Sequence, residues 1–289
     1  MRFAVTGITG QLGSELCRQW GEKALPLDRE QFPLTGAEEQ LAHALDRANP
    51  DALIHPAAYT LVDQAEREPE LCRAINADAV GKLARLCRER GIPLIHISTD
   101  YVFGAADTPH VPRIESDPVH AQGVYAQTKL EGERQAALAP RHIIVRTCGL
   151  YGQPGRPEAR PHFVATMLRL ARAGKSLKVV NDQHCTPSYV PDVARAIRFL
   201  TEGAIAGKAT AGVYHVTNRG ATTWHDFAAE IFRLKGLDVS LTPISTAEYA
   251  APAPRPRYSV LDTAKYHSLA GPEMPTWQAA LAAYLDTIP

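Results

Sequence analysis

An α/β fold, with a doubly wound parallel sheet and a smaller C-terminal domain, is the architecture this sequence predicts, on three observations. Short apolar runs alternate with helix-patterned stretches through the first half of the chain. A glycine-spaced turn, Gly7-Ile-Thr-Gly10-Gln-Leu-Gly13, stands between the first such run and the first helix. After Tyr151 the alternation loosens and proline becomes frequent. Strand, helix and strand at short spacing is how parallel βαβ units read in sequence. Right-handed crossovers then line the strand C-termini along one edge, where such sheets bind ligands.

Taken in order, Phe3-Ala4-Val5 reads as a short buried strand and Gln11 to Trp20 as the helix that follows. Leu25-Pro26-Leu27-Asp28 is a second strand candidate, weakened by its proline. Residues 38–47 have helical composition and 51–55 read as a strand. Leu71 to Arg90 is expected to be one long helix stopped by Gly91, with Pro93 just beyond. Strands follow at 93–98 and 142–146, flanking a helix over 123–138. Beyond Tyr151, residues 153–161 hold three prolines and one glycine and read as loop. Helices are expected at 162–173 and 190–201, with strand-like runs at 177–180 and 213–216, the latter a candidate to rejoin the main sheet. Thr222-Thr-Trp-His-Asp226 opens a further helix, a threonine cap with an acidic residue in the first turn. Pro252, Pro254 and Pro256 make 250–257 irregular or extended. No internal repeat and no coiled-coil pattern is present.

At 289 residues the chain can bury a core without disulfide or metal staples. Its 31 Lys and Arg balance 31 Asp and Glu, which argues against bulk binding to nucleic acid or to an anionic membrane. No apolar run approaches the roughly 20 residues needed to span a bilayer. The first strand reaches Gly7 too soon for a signal-peptide core, so a cytoplasmic protein is expected. Cys17, Cys72, Cys87, Cys148 and Cys185 are odd in number and include no Cys-x-x-Cys pair, against a disulfide framework or a zinc knuckle.

The glycine turn carries the first chemistry. Its glycines let the backbone turn tightly and approach a pyrophosphate, which the N-terminal N–H groups of the helix accept. Asp28 lies about 20 residues further on, where an acidic residue can hold an adenosine ribose, while Arg29 beside it suits a 2′-phosphate. NADH and NADPH are therefore both open. Tyr125-Ala-Gln-Thr-Lys129 places a phenol and an ammonium on one helix face. A phenol with a pKa of about 10 needs its phenolate stabilised to act near neutral pH, and a lysine does that. Ser98-Thr99-Asp100 supplies a hydroxyl at the end of a central strand, able to polarise a carbonyl. The three features in this order point to catalysis on a Rossmann-type sheet.

With these residues the sequence resembles the extended short-chain dehydrogenase/reductase superfamily and, within it, the dTDP-4-dehydrorhamnose reductase family. Further stretches carry the likeness: Ala57-Ala-Tyr-Thr-Leu-Val-Asp-Gln-Ala-Glu66, Ser98-Thr-Asp-Tyr-Val-Phe103, Val180-Asn-Asp-Gln183, Thr222-Thr-Trp-His-Asp-Phe227 and Arg255-Pro-Arg-Tyr-Ser-Val-Leu261. The resemblance implies an NAD(P)-binding Rossmann domain over 1–149, rejoined by elements near 177–218, and a substrate-binding domain of 150–176 and 219–289. It implies reduction of the C4 ketone of a dTDP-sugar, giving dTDP-L-rhamnose. Tyr125 would be the proton donor, Lys129 would lower its pKa, and Thr99 would polarise the carbonyl. The cofactor would meet Gly7, Gly10, Gln11, Leu12, Gly13, Asp28, Ala57, Ala58, Tyr59 and Thr60, and also Tyr125 and Lys129, the lysine holding the nicotinamide ribose. The sugar nucleotide would meet Thr99, Asp100, Gly149 and Arg255, and a homodimer is among the expectations.

The sequence departs from the family pattern at several places. His55-Pro56-Ala57-Ala58 stands where the family commonly has Asn-Ala-Ala-Ala, and Cys148-Gly149 where it often has Ser-Trp, so the sugar pocket is either wider or filled from elsewhere. Some relatives hold magnesium at a dimer contact; Glu15 matches one ligand, Val190-Pro191 offers no carboxylate, and no required metal is expected. The His184-Cys185 pair lacks a second ligand cluster. His96 is expected to be a satisfied core histidine, and Trp224 and Phe227 to serve packing. Alternatives are another nucleotide-sugar epimerase, dehydratase or reductase, and a non-catalytic subunit resembling the regulator of methionine adenosyltransferase. A dehydratase would want an Asp-Glu pair where Asp100-Tyr101 stands.

Overall fold

The computed structural model describes residues 1–104, 111–156 and 161–288. Part of the expected 153–161 loop, residues 157–160, lies outside the described residues. The main sheet is built from β1 (Phe3–Val5), β2 (Ala24–Pro26), β3 (Ala52–His55), β4 (Leu94–Thr99), β5 (His142–Thr147) and a late strand, Gly212–His215. All its pairings are parallel, and the late strand closes one edge against β5. From the other edge the order is β2, β1, β3, β4, β5, so the chain reverses direction across the sheet between β1 and β3. Such a switch point opens a crevice beyond the strand ends.

Both faces of the sheet are covered, which is why its strands read as continuous apolar runs rather than alternating ones. On one face α1 (Gln11–Trp20) packs beside the helix Val190–Ile205, with Leu16, Val193, Ile197 and Leu200 fully buried. On the other lie α2 (Glu38–Ala48) and α3 (Ala79–Arg90), through Leu41, Leu45, Val80 and Leu83. The expected helix over 71–90 is interrupted: Pro69–Arg73 runs into a wider π-helical turn, Ala74–Asp78, before α3. That turn presents Asn76 inward, as described below. Gly91 ends α3 with φ of 65°, as its position implied.

The chain from 177 onwards corrects one expectation. Gly212–His215 does join the main sheet, but Leu177–Val180 pairs in parallel with Leu241–Ile244 in a separate two-stranded sheet. Its apolar residues serve another core, with Tyr151, Val164, Leu168, Phe227, Ile231 and Leu281. The helix after 222 begins at Trp224, and Thr223 rather than Thr222 caps it, accepting from the Asp226 N–H at 3.0 Å.

Helix α4 (Gly123–Ala136) lies across β4 and β5 and is tied there by a buried charge cluster. Arg146 donates to both oxygens of Glu133, at 2.8 and 2.7 Å, and Ser98 donates to the same carboxylate at 2.5 Å. Removing one partner of a buried pair strands the other charge. Arg146→Met should therefore lower stability by about 3–5 kcal/mol in urea unfolding, and adding Glu133→Leu should restore most of it.

Candidate active site

The crevice at the switch point is lined by two touching loops. Gly7 leaves β1 with φ of 60°, and a Cβ there would stand 2.8 Å from the backbone of Ala57, in the loop after β3. Gly13 sits in the first turn of α1, where a Cβ would fall 2.2 Å from the Gly7 carbonyl oxygen. The Gly10 N–H closes the turn onto Gly7 at 2.9 Å, and no side chain caps α1. The first-turn N–H groups beside Gln11 and Leu12 are thus left to an anion. Gly155, which the sequence offered only as a glycine among prolines, packs on this turn: a Cβ would meet the Thr9 and Gly10 carbonyls at 2.5 Å.

Ala57, Ala58, Tyr59 and Thr60 continue along the crevice. Their path is set by Asn76, which accepts from the Tyr59 N–H at 2.8 Å and donates to the Tyr59 carbonyl at 3.1 Å. Asp28 lies past the end of β2, half-buried, and accepts the Gln31 N–H at 2.7 Å. Arg29 beside it is exposed.

At the end of β4, Thr99 donates to Asp100 at 3.2 Å and shares a hydrogen bond with the Tyr125 phenol. Tyr125 is half-buried on the first turns of α4, whose start is held by Glu66 accepting the Val124 N–H at 2.8 Å. Burial raises the phenol above its ordinary pKa, and the Thr99 hydrogen bond pulls the other way. Asp100 is fully enclosed; burial lifts its carboxyl to about 6 against the hydrogen bonds of Ser259, at 2.5 Å, Cys148 and Thr99. Lys129, one helical turn beyond Tyr125, buries its ammonium under the strand end. It donates to the Ile97 carbonyl at 2.6 Å and lies 3.4 Å from His96 Nε2. Burial lowers it to about 8, and the nearby Glu133 carboxylate resists that fall.

Two residues named for the sugar nucleotide stand in unexpected company. Arg255 is clasped by Asp63, its Nη2 at 3.0 Å from both carboxylate oxygens, and the pair lines a cavity of about 480 Å³ with Thr60, Leu61, Val62 and Gln64. Gly149, with φ of 52°, faces Trp224: a Cβ there would meet the indole Cη2 at 2.9 Å. The space is filled by an indole at the start of the helix Trp224–Leu234, which also packs on Phe163 and Phe227. His96 corrects another expectation, because its Nδ1 has no hydrogen-bond partner among the described residues. Glu15 is engaged by Arg18, at 2.7 and 2.5 Å. Among the described residues no group of three or more His, Cys, Asp or Glu side chains is placed to hold a metal, and no helix is long and apolar enough to cross a membrane.

Comparison with known proteins places this geometry. Residues 1–289 match the family described as RmlD substrate binding domain. A dTDP-4-dehydrorhamnose reductase of Streptomyces griseus is 40% identical over 288 residues, covering 97% of this chain and 91% of the relative. The crystal structure of a dTDP-4-dehydrorhamnose reductase orthologue from Clostridium acetobutylicum superposes with a TM-score of 0.90 at 36% identity, covering 99% of both chains. That of the Bacillus anthracis reductase, in complex with NADP, gives 0.91 at 33% identity, again covering 99% of both.

The hydrogen bonds on Asp100 define a direct test. Carbon-13 NMR of its carboxyl should titrate near pH 6 in the wild-type chain. Ser259→Ala removes a donor to the charged form and should move the midpoint to higher pH.

Proposed function

The chain belongs to the RmlD substrate binding domain family, that of the dTDP-4-dehydrorhamnose reductases, and from that premise we propose that it reduces the C4 ketone of dTDP-4-dehydro-β-L-rhamnose to dTDP-L-rhamnose with NADPH or NADH. The observation that carries this reading is the contact of Thr99 with Tyr125 at the end of β4, with a charged Lys129 one turn along the same helix. The glycine turn fits a dinucleotide: close packing leaves no room for a Cβ at Gly7 or Gly13, and the N-terminus of α1 carries no side-chain cap. Gly10, Gln11 and Leu12 would receive the pyrophosphate, Asp28 the adenosine ribose, and Ala57 to Thr60 would flank the cofactor. The bound nicotinamide supplies the hydride.

The protein's own residues then handle the proton. Tyr125 gives its phenolic proton to the oxygen that the reduction turns into an alkoxide. Because burial makes the phenolate costly, its formation needs compensation at once. Thr99 provides a hydrogen bond, and Lys129 provides a positive charge held in a medium of low polarity. Arg255, whose partner is Asp63, would exchange that carboxylate for the substrate diphosphate, since a guanidinium fork suits either.

The Lys129 charge also sets a pH limit. A lowered lysine pKa means the ammonium is present below about 8 and lost above it, so turnover should fall as the pH rises through about 8. Turnover is followed by the loss of reduced-nicotinamide absorbance. With the 4-ketosugar generated in situ, Tyr125→Phe should lower kcat by about 10²–10⁴-fold while cofactor binding persists. Absence of wild-type turnover with either cofactor, despite nucleotide binding, would sink the assignment.

A further inference from the structure

His55 and His96 are partners across adjacent parallel strands, so their side chains lie on the same face of the sheet. Their rings stack with centroids 5.6 Å apart and planes 22° from parallel, and neither residue is exposed to solvent. His55 Nδ1 lies 2.9 Å from the hydroxyl of Thr6, which sits immediately before the glycine turn. His96 Nε2 faces the Lys129 ammonium at 3.4 Å. Gly132 of α4 makes room for this approach, since a Cβ there would come 3.3 Å from the same nitrogen.

We propose that His96, braced by the His55 ring, is a positioning residue for Lys129, accepting one ammonium proton as a neutral imidazole. An ammonium has three donors and no acceptor, so the nitrogen facing it must carry a lone pair, which puts the ring proton on Nδ1. A protonated ring would set two cations 3.4 Å apart away from water. Burial, Lys129 and His55 all hold His96 well below the ordinary histidine pKa, and burial followed by Lys129 holds His55 at about 3. With His96 and the Ile97 carbonyl each taking one N–H, the third remains for the reacting groups. The other ionisable groups around the ammonium are Glu133 on its own helix, itself paired with Arg146 of β5, and Cys72 from the Pro69–Arg73 helix. Glu133 and Cys72 favour the charged lysine, and His55, held at about 3, is neutral beside it; His96 adds a directed acceptor that none of them supplies.

The catalytic importance of this contact rests on the reductase reading, whereas the contact itself is tested without turnover. In the wild-type full chain, nitrogen-15 NMR of histidine should show His96 with Nδ1 protonated and Nε2 bare from pH 6 to 9; a protonated Nε2 overturns the proposal whatever the variants do. Carbon-13 NMR at the Lys129 side chain should titrate near 8 in the wild type. His96→Leu should lower that midpoint by about one pH unit, and His96→Gln, which keeps an acceptor oxygen, should return it toward the wild-type value. An unchanged Lys129 midpoint in folded His96→Leu also overturns the proposal. If the reductase reading holds, the alkaline fall of kcat moves with the same midpoint. If the NMR shift appears in a chain that turns over no 4-ketosugar, it is the reductase reading that fails.

Discussion

The ion pair between Glu133 and Arg146 determines where helix α4 lies on the sheet, and with it the relation of Tyr125 and Lys129 to the end of β4. Arg146 comes from β5 and Ser98, on the same carboxylate, from β4, so one side chain of α4 is anchored to two neighbouring strands. The guanidinium also lies 5.1 Å from the centre of the Phe103 ring, which packs it against the turn after β4. Lys129 is one helical turn before Glu133, and Tyr125 a further turn away, so any slip of the helix displaces both. Gly132 permits the close seating: a Cβ there would stand 2.1 Å from the Asn76 carbonyl oxygen. Asn76 in turn holds the chain at Tyr59. The crevice loop and the Tyr/Lys helix are thus braced through a single polar residue.

Dryness is the second constraint. The same desolvation that lowers Lys129 to about 8 raises Asp100 to about 6 and lifts Tyr125 above its ordinary range. Each ionisable group is pushed toward its neutral form, and local hydrogen bonds or charges oppose the push to different degrees. Lys129 stays charged at neutral pH because Glu133 helps it, and Asp100 because Ser259, Cys148 and Thr99 do. Groups poised in this way respond strongly to small changes in what they touch, which suits the proton transfer proposed for this site.

What was legible in the sequence was local. The glycine turn, the Tyr125/Lys129 spacing and the strand-end Thr99 depend on neighbours along the chain or one helical turn away, and periodicity reveals those. The parallel sheet followed from the alternation of strands and helices. Features that depend on distant partners were not legible. Leu177–Val180 has the composition of a core strand, but nothing local says that it pairs with Leu241–Ile244. Asn76 sits in a stretch that reads as plain helix, Gly155 in one that reads as loop, and the Asp63–Arg255 clasp joins residues far apart in sequence. Trp224 was readable as a packing residue but not as the neighbour that fills the space beside Gly149.

The central claim is that this site delivers hydride to C4 of the sugar and a proton to its oxygen. A single turnover with NADPH deuterated at the transferable nicotinamide position, followed by NMR of the product sugar, tests it most directly. The account predicts deuterium on C4 of the product hexose and on no other carbon, with the cofactor left oxidised. Deuterium returned to the cofactor, or a product carrying none at C4, would contradict it.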